Sequence, residues 1–99
     1  MRGRIKYNRI LLMNLEKKAN ILKALGQPTR LRIMEYLRDG ERCVCEIFPA
    51  IGGQQSNISR HLAVLKQAGL VADRRVGVSI FYRVKDLAIF KILDRLNLK

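Results

Sequence analysis

The apolar residues of this chain fall into helical stripes that give way, late in the sequence, to a short alternating segment. From position 14 onward Leu15, Ala19, Leu22 and Leu25 recur three or four apart, and Gly26 ends the run. Pro28 suits the first turn of a second helix, whose apolar residues are Leu31, Ile33, Met34 and Leu37 before the turn pair Asp39-Gly40. A short third helix is expected over about 45–51, broken by Gly52-Gly53. The fourth spans 54–68, with Ile58, Leu62 and Leu65 at i, i+4 and i+7 and Gly69 as its stop. The period then changes. Residues 70–76 and 79–84 are β-branched or aromatic runs around Gly77, which predicts a hairpin. Helical spacing returns over 85–98 through Leu87, Phe90, Leu93 and Leu96, with Ala88, Ile89 and Ile92 beside that stripe. The chain therefore reads as one domain over 1–99, mainly α with a small β-hairpin.

The order of these elements points to DNA. A short helix, a glycine-containing turn and a second helix over about 45–68 make a helix-turn-helix, and the hairpin after it is a wing. The second helix opens with Gln54, Gln55, Ser56, Asn57, Ser59, Arg60 and His61, which its apolar stripe leaves on the polar side. Gln and Asn can bond adenine in two places, Ser suits any base edge, and Arg suits guanine or phosphate. Arg74 and Arg75 before the hairpin tip and Arg83 after it are candidates for the DNA backbone or the minor groove.

Charge sharpens this reading. Twenty Lys and Arg against eight acids leave a formal +12 on 99 residues, the electrostatic footprint of a polyanion binder. A membrane surface would also attract such charge, but the basic residues are dispersed rather than gathered on one amphipathic helix. No run approaches the roughly 20 apolar residues of a membrane span. The basic N-terminus lacks the apolar core and cleavage site of a signal peptide, so a cytoplasmic protein is expected. No paired acids, nucleophile–base pair or phosphate loop suggests an enzyme, and Glu35, Asp39 and Glu41 read as solvated surface.

Cys43 and Cys45 lie too close in sequence to clip a distant loop, which leaves metal binding, redox chemistry or simple packing. At a helix start beside Arg42 a thiol gains reactivity, with Glu46 working against it. Joining the two sulfurs would demand local backbone adjustment, and unwinding the third helix would then misplace the reading helix.

Taken together, residues 21–84 resemble the ArsR family of winged-helix repressors. The likeness rests on Leu22 to Met34, on Glu41-Arg42-Cys43-Val44-Cys45-Glu46-Ile47, on Gln55 to Leu62, on Leu65 to Val71, and on the hairpin. It implies a homodimer built on the first and last helices, bound to double-stranded operator DNA and released by an inducer. Apolar residues on more than one face of the terminal helix favour a dimer independently. Arsenic-sensing members carry three cysteines around the third helix; here Cys43 and Cys45 match the first two and Phe48 stands at the third. Arsenite or antimonite would therefore bind through two thiolates, and thiol oxidation is the alternative trigger. Zinc-sensing members place Asp, His and Glu on the last helix, which here offers Asp86 and Asp94 without histidine. No obligatory cofactor is expected. His61, the single histidine, suits DNA or a hydrogen bond better than a metal. Two other readings stay open: a winged-helix regulator without a small-molecule inducer, and a thiol redox or metal-handling protein whose DNA binding is incidental.

Overall fold

A computed structural model describes residues 7–96 of the chain. Its helices are α1 (Arg9–Leu25), α2 (Pro28–Tyr36), α3 (Val44–Ile51), α4 (Gln55–Gln67) and α5 (Ile89–Arg95). Its strands are β1 (Arg42–Cys43), β2 (Val71–Val76) and β3 (Ser79–Val84), paired antiparallel in the order β1-β3-β2. The expected mainly helical winged helix-turn-helix is thus the observed fold.

The core forms where the helix stripes meet the base of the hairpin. Ile33 and Met34 from α2, Leu37 at its C-cap, Ile47 from α3, and Ile58, Leu62 and Leu65 from α4 are essentially without solvent contact. Leu70, Val71, Val84 and Phe90 close the cluster. Leu62 and its neighbours in this α4 seam fix the rotation of that helix, and so decide which side chains it turns outward.

Three sequence expectations change. The first helix starts at Arg9 rather than near 14, because the Asn8 side chain accepts the Leu11 amide at 2.8 Å and caps it. Along it only Ala24 and Leu25 are buried, while Leu15 and Leu22 are exposed. The last helix is shorter than 85–98. Asp86 accepts the Ala88 amide at 2.9 Å in a turn, so regular helix begins only at Ile89, and Leu87 and Leu96 are exposed. Leu98 lies outside the described residues. Finally, the hairpin gains a third strand, Arg42 pairing with Tyr82 and Cys43 with Phe81. A two-residue strand has no period of its own to announce it.

Arg38 ties the end of α2 to α5. Its guanidinium bonds Asp94 at 2.7 and 3.0 Å, pairs with Glu35, and lies 4.2 Å over the Phe90 ring. The guanidinium holds Asp94 below its ordinary pKa, and Asp94, then Glu35, hold Arg38 above its own. Glu35 is an exposed ion-pair partner.

Candidate nucleic-acid interface and thiol pair

With Ile58, Leu62 and Leu65 turned inward, Gln54, Gln55, Ser56, Asn57, Ser59 and Arg60 stand exposed at the start of α4. The backbone carbonyl of Gln54 accepts the Asn57 and Ile58 amides, both at 3.1 Å, and no side chain caps the helix. His61 is half-buried on the flank. The Arg30 Nε donates to its Nδ1 at 3.1 Å, so the ring presents Nε2–H as a donor. Burial, then Arg30 and Arg60, push its pKa down and keep the imidazole neutral. Arg30 as the histidine's partner was invisible in the sequence, since the two are 31 residues apart.

The wing arginines do not act as one group. Residues adjacent on a strand point to opposite faces. Arg75, opposite Ile80, shares the face of Val71 and Val84, which is the face toward α4. Arg74, opposite Phe81, and Arg83, opposite Ala72, take the other face. There Glu41 accepts two hydrogen bonds from Arg74, both at 2.7 Å, while the guanidinium lies 5.3 Å from the centre of the Phe81 ring. Glu41 is thus not idle surface either; Arg74 holds it below the usual carboxylate range.

Two further acids are paired, one of them with the last turn of α4. Lys66 pairs with Asp73 at 3.1 Å and Arg42 with Glu46 at 3.9 Å. Among the described residues no carboxylate pairs with Arg30, Arg32, Arg60, Arg75 or Arg83. Between Glu16 and Glu35, and again between Glu46 and Asp73, the sequence has no acidic residue. The α2 start, the turn and α4 come from those two stretches, so the charged side chains they supply to this face are all basic.

The cysteines sit at the junction of β1 and α3. Cys43 is buried and forms the α3 N-cap; Cys45 is exposed. Their sulfurs are joined as a disulfide, with Cα atoms 5.1 Å apart. The Cys43 amide donates to Glu46 Oε1 at 3.0 Å, and the Cys45 amide to the Cys43 sulfur at 3.1 Å, which completes a capping box. The expectation that joining the sulfurs unwinds α3 is corrected here. The helix runs intact from Val44 because Cys43 lies just outside it, in extended conformation. Phe48, at the third thiol's position, packs against the core. Among the described residues no group of three or more His, Cys, Asp or Glu could hold a metal ion, and no helix is long and apolar enough to cross a membrane.

Residues 27–73 match the bacterial regulatory protein, arsR family. An HTH-type transcriptional regulator from Methanocaldococcus jannaschii is 44% identical over 85 residues, covering 82% of this chain and 96% of that protein. The arsenic resistance transcriptional regulator ArsR1 of Pseudomonas putida is 45% identical over 65 residues, 65% of this chain and 51% of that protein, so the chain spans about half its length. Among solved structures, the homodimeric winged helix-turn-helix DNA-binding domain from Mycobacterium bovis superposes with a TM-score of 0.79 at 30% identity, over 93% of this chain and 91% of that one.

Proposed function

This chain belongs to the ArsR family of winged helix-turn-helix transcriptional regulators, DNA-binding proteins rather than enzymes, and we propose that it is a homodimeric repressor whose operator is released by chemistry at Cys43 and Cys45. The observation that carries the DNA reading is the exposed face of α4. Gln54, Gln55, Ser56, Asn57, Ser59 and Arg60 stand clear of the core on a surface without acids, with Arg75 of the wing on the same side. In this reading Asn57, Ser56 and Gln55 meet base edges, Arg60 and His61 meet phosphate or base, and Arg75 leads the wing contacts. Arg74 contributes less, being held by Glu41, and Arg83 adds charge behind it.

Dimerisation is supported by what α1 and α5 leave uncovered. Ile21, Leu22, Leu25, Ile89, Ile92 and Leu93 line an almost wholly apolar groove of about 530 Å³. Ile10, Leu12, Met13 and Leu15 extend the exposed apolar surface toward the start of α1. A second copy would bury it, and the Mycobacterium bovis relative is homodimeric. Selection from random duplex DNA at moderate salt tests the proposal. A dimer of this kind enriches an inverted repeat with half-sites about 10 base pairs apart; enrichment of no sequence would mean nonspecific polyanion binding.

The two thiols match two-electron chemistry better than a three-thiolate metalloid site, since Phe48 occupies the third position. Cys45, the exposed sulfur, attacks a peroxide and becomes a sulfenic acid; Cys43 then displaces water to give the disulfide. The peroxide is reduced to water or alcohol in the process. Because Cys43 both caps α3 and pairs with Phe81 of β3, its state is felt by the wing as well as by α3. Arsenite bridging the same pair is the second reading, favoured by the arsenic-resistance relative. Operator binding by wild type and by Cys43→Ser/Cys45→Ser, each with peroxide or arsenite, decides. Equal behaviour of the two proteins would make the pair structural.

A further inference from the structure

Beside the reading face lies a polar concavity of about 330 Å³, between the start of α2 and the turn that leads into α4. Thr29 and Arg32 contribute from α2, Gly52 and Gly53 from the turn, and Asn57 and His61 from α4. The glycines have φ of +83° and +85°, which side chains rarely tolerate, and an added Cβ on either would meet nothing within 4 Å. That backbone conformation lets the turn bend sharply without filling the cleft. Arg32 donates from Nη2 to the Thr29 hydroxyl at 3.2 Å, which aims a guanidinium that has no carboxylate partner among the described residues. The whole lining comes from the two acid-free stretches of sequence.

Resting on the DNA reading above, we infer that this cleft grips one phosphodiester of the operator backbone, with Arg32 as the charged contact and Thr29 as the residue that positions it. The geometry favours a duplex backbone over a free anion. The cleft is continuous with α4 through Asn57 and His61, and a recognition helix that enters the major groove by its N-terminal residues brings one flanking strand past its own start. A guanidinium is suited to such an oxygen pair by its planar fork. The contact is blind to sequence, so α2 supplies affinity and register while α4 supplies discrimination. Neither Thr29 nor Arg32 belongs to the helix-turn-helix or the wing, which is why a motif-based reading passes over them.

The test combines Arg32→Gln with a scan of the selected operator by neutral methylphosphonates placed singly along each strand. Arg32→Gln should weaken operator and mutated operator alike by about tenfold, the loss of one charge-assisted hydrogen bond, and reduce the salt slope by about one. One methylphosphonate position per half-site should weaken wild type but leave Arg32→Gln no weaker. Thr29→Val, which keeps the branched shape, should lose part of the affinity and keep the salt slope. Helical circular dichroism and the sedimentation coefficient report that each variant is intact. An unchanged salt slope with Arg32→Gln, or equal losses for both proteins at every methylphosphonate, overturns the inference while leaving the repressor standing. If inorganic phosphate at millimolar concentration competes for wild type but not for Arg32→Gln on noncognate DNA alone, the cleft is a free-anion site and the inference fails. Wild type that selects no DNA sequence overturns the parent reading instead.

Discussion

Asn57 and Ser56 differ from Arg75 in what their loss should reveal. The first two stand where α4 would meet base edges, so Asn57→Ala should cost about 1–3 kcal/mol on the preferred operator and relax preference at one base position. Arg75→Ala should weaken all sequences equally. Competition binding against operator and point-mutated operators separates these outcomes, and unchanged discrimination by Asn57→Ala would move the reading surface elsewhere. The thiols divide in the same way. Cys45 is exposed and Cys43 buried, so in the reduced protein iodoacetamide should label Cys45 first, as peptide mass mapping would record. His61 gives a stability prediction. The fold holds it neutral, whereas an unfolded chain takes up its proton near pH 6.5. The unfolded state therefore binds more protons below that pH, and stability falls as the pH drops through it. Denaturant titrations on both sides of that value should show the loss in wild type and a smaller one in His61→Gln; equal slopes would contradict a lowered pKa for the half-buried imidazole.

At the level of elements, α4 was the most legible because two demands coincide on it. Its seam must be apolar to hold the core, and its outer face must be polar to read a ligand, so 3.6-residue spacing sorted both sets at once. Leu62→Ala should cost about 2–5 kcal/mol in thermal or denaturant unfolding, since it leaves a cavity where α2, α3 and α4 meet. A loss below about 1 kcal/mol would mean a core loose enough to collapse around the gap. The ends of α1 and α5 were less legible. Asn8 and Asp86 decide them by single hydrogen bonds to nearby amides, and such residues also occur freely in loops.

The molecule as a whole measures 54 × 35 × 22 Å, elongated partly because the first three turns of α1 bury no residue. Such a helix is poorly supported in isolation, and a second copy is the simplest cover for it. Leu22→Asp, with Ile92→Asp as its counterpart on α5, should leave the core stripe intact yet shift sedimentation toward monomer and weaken operator binding steeply. A variant that stays dimeric would place the interface on another surface. Leu62 and Leu22 thus look alike in the sequence, each in a helical stripe of leucines, and play opposite parts.

That pair marks the boundary between sequence and structure in this protein. Periodicity, glycine punctuation and the excess of Lys and Arg were enough to determine the helix order, the hairpin, the outward set on α4 and a polyanion partner, because each rests on neighbours within a few residues or on a sum over the chain. Which apolar stripe enters the core, which wing arginine is held by Glu41, how Arg30 sets the state of His61, and that Cys43 belongs to a strand were decided only in three dimensions. Each of those depends on residues about thirty or more positions apart, and their encounter is governed by packing and strand register, which no local pattern records.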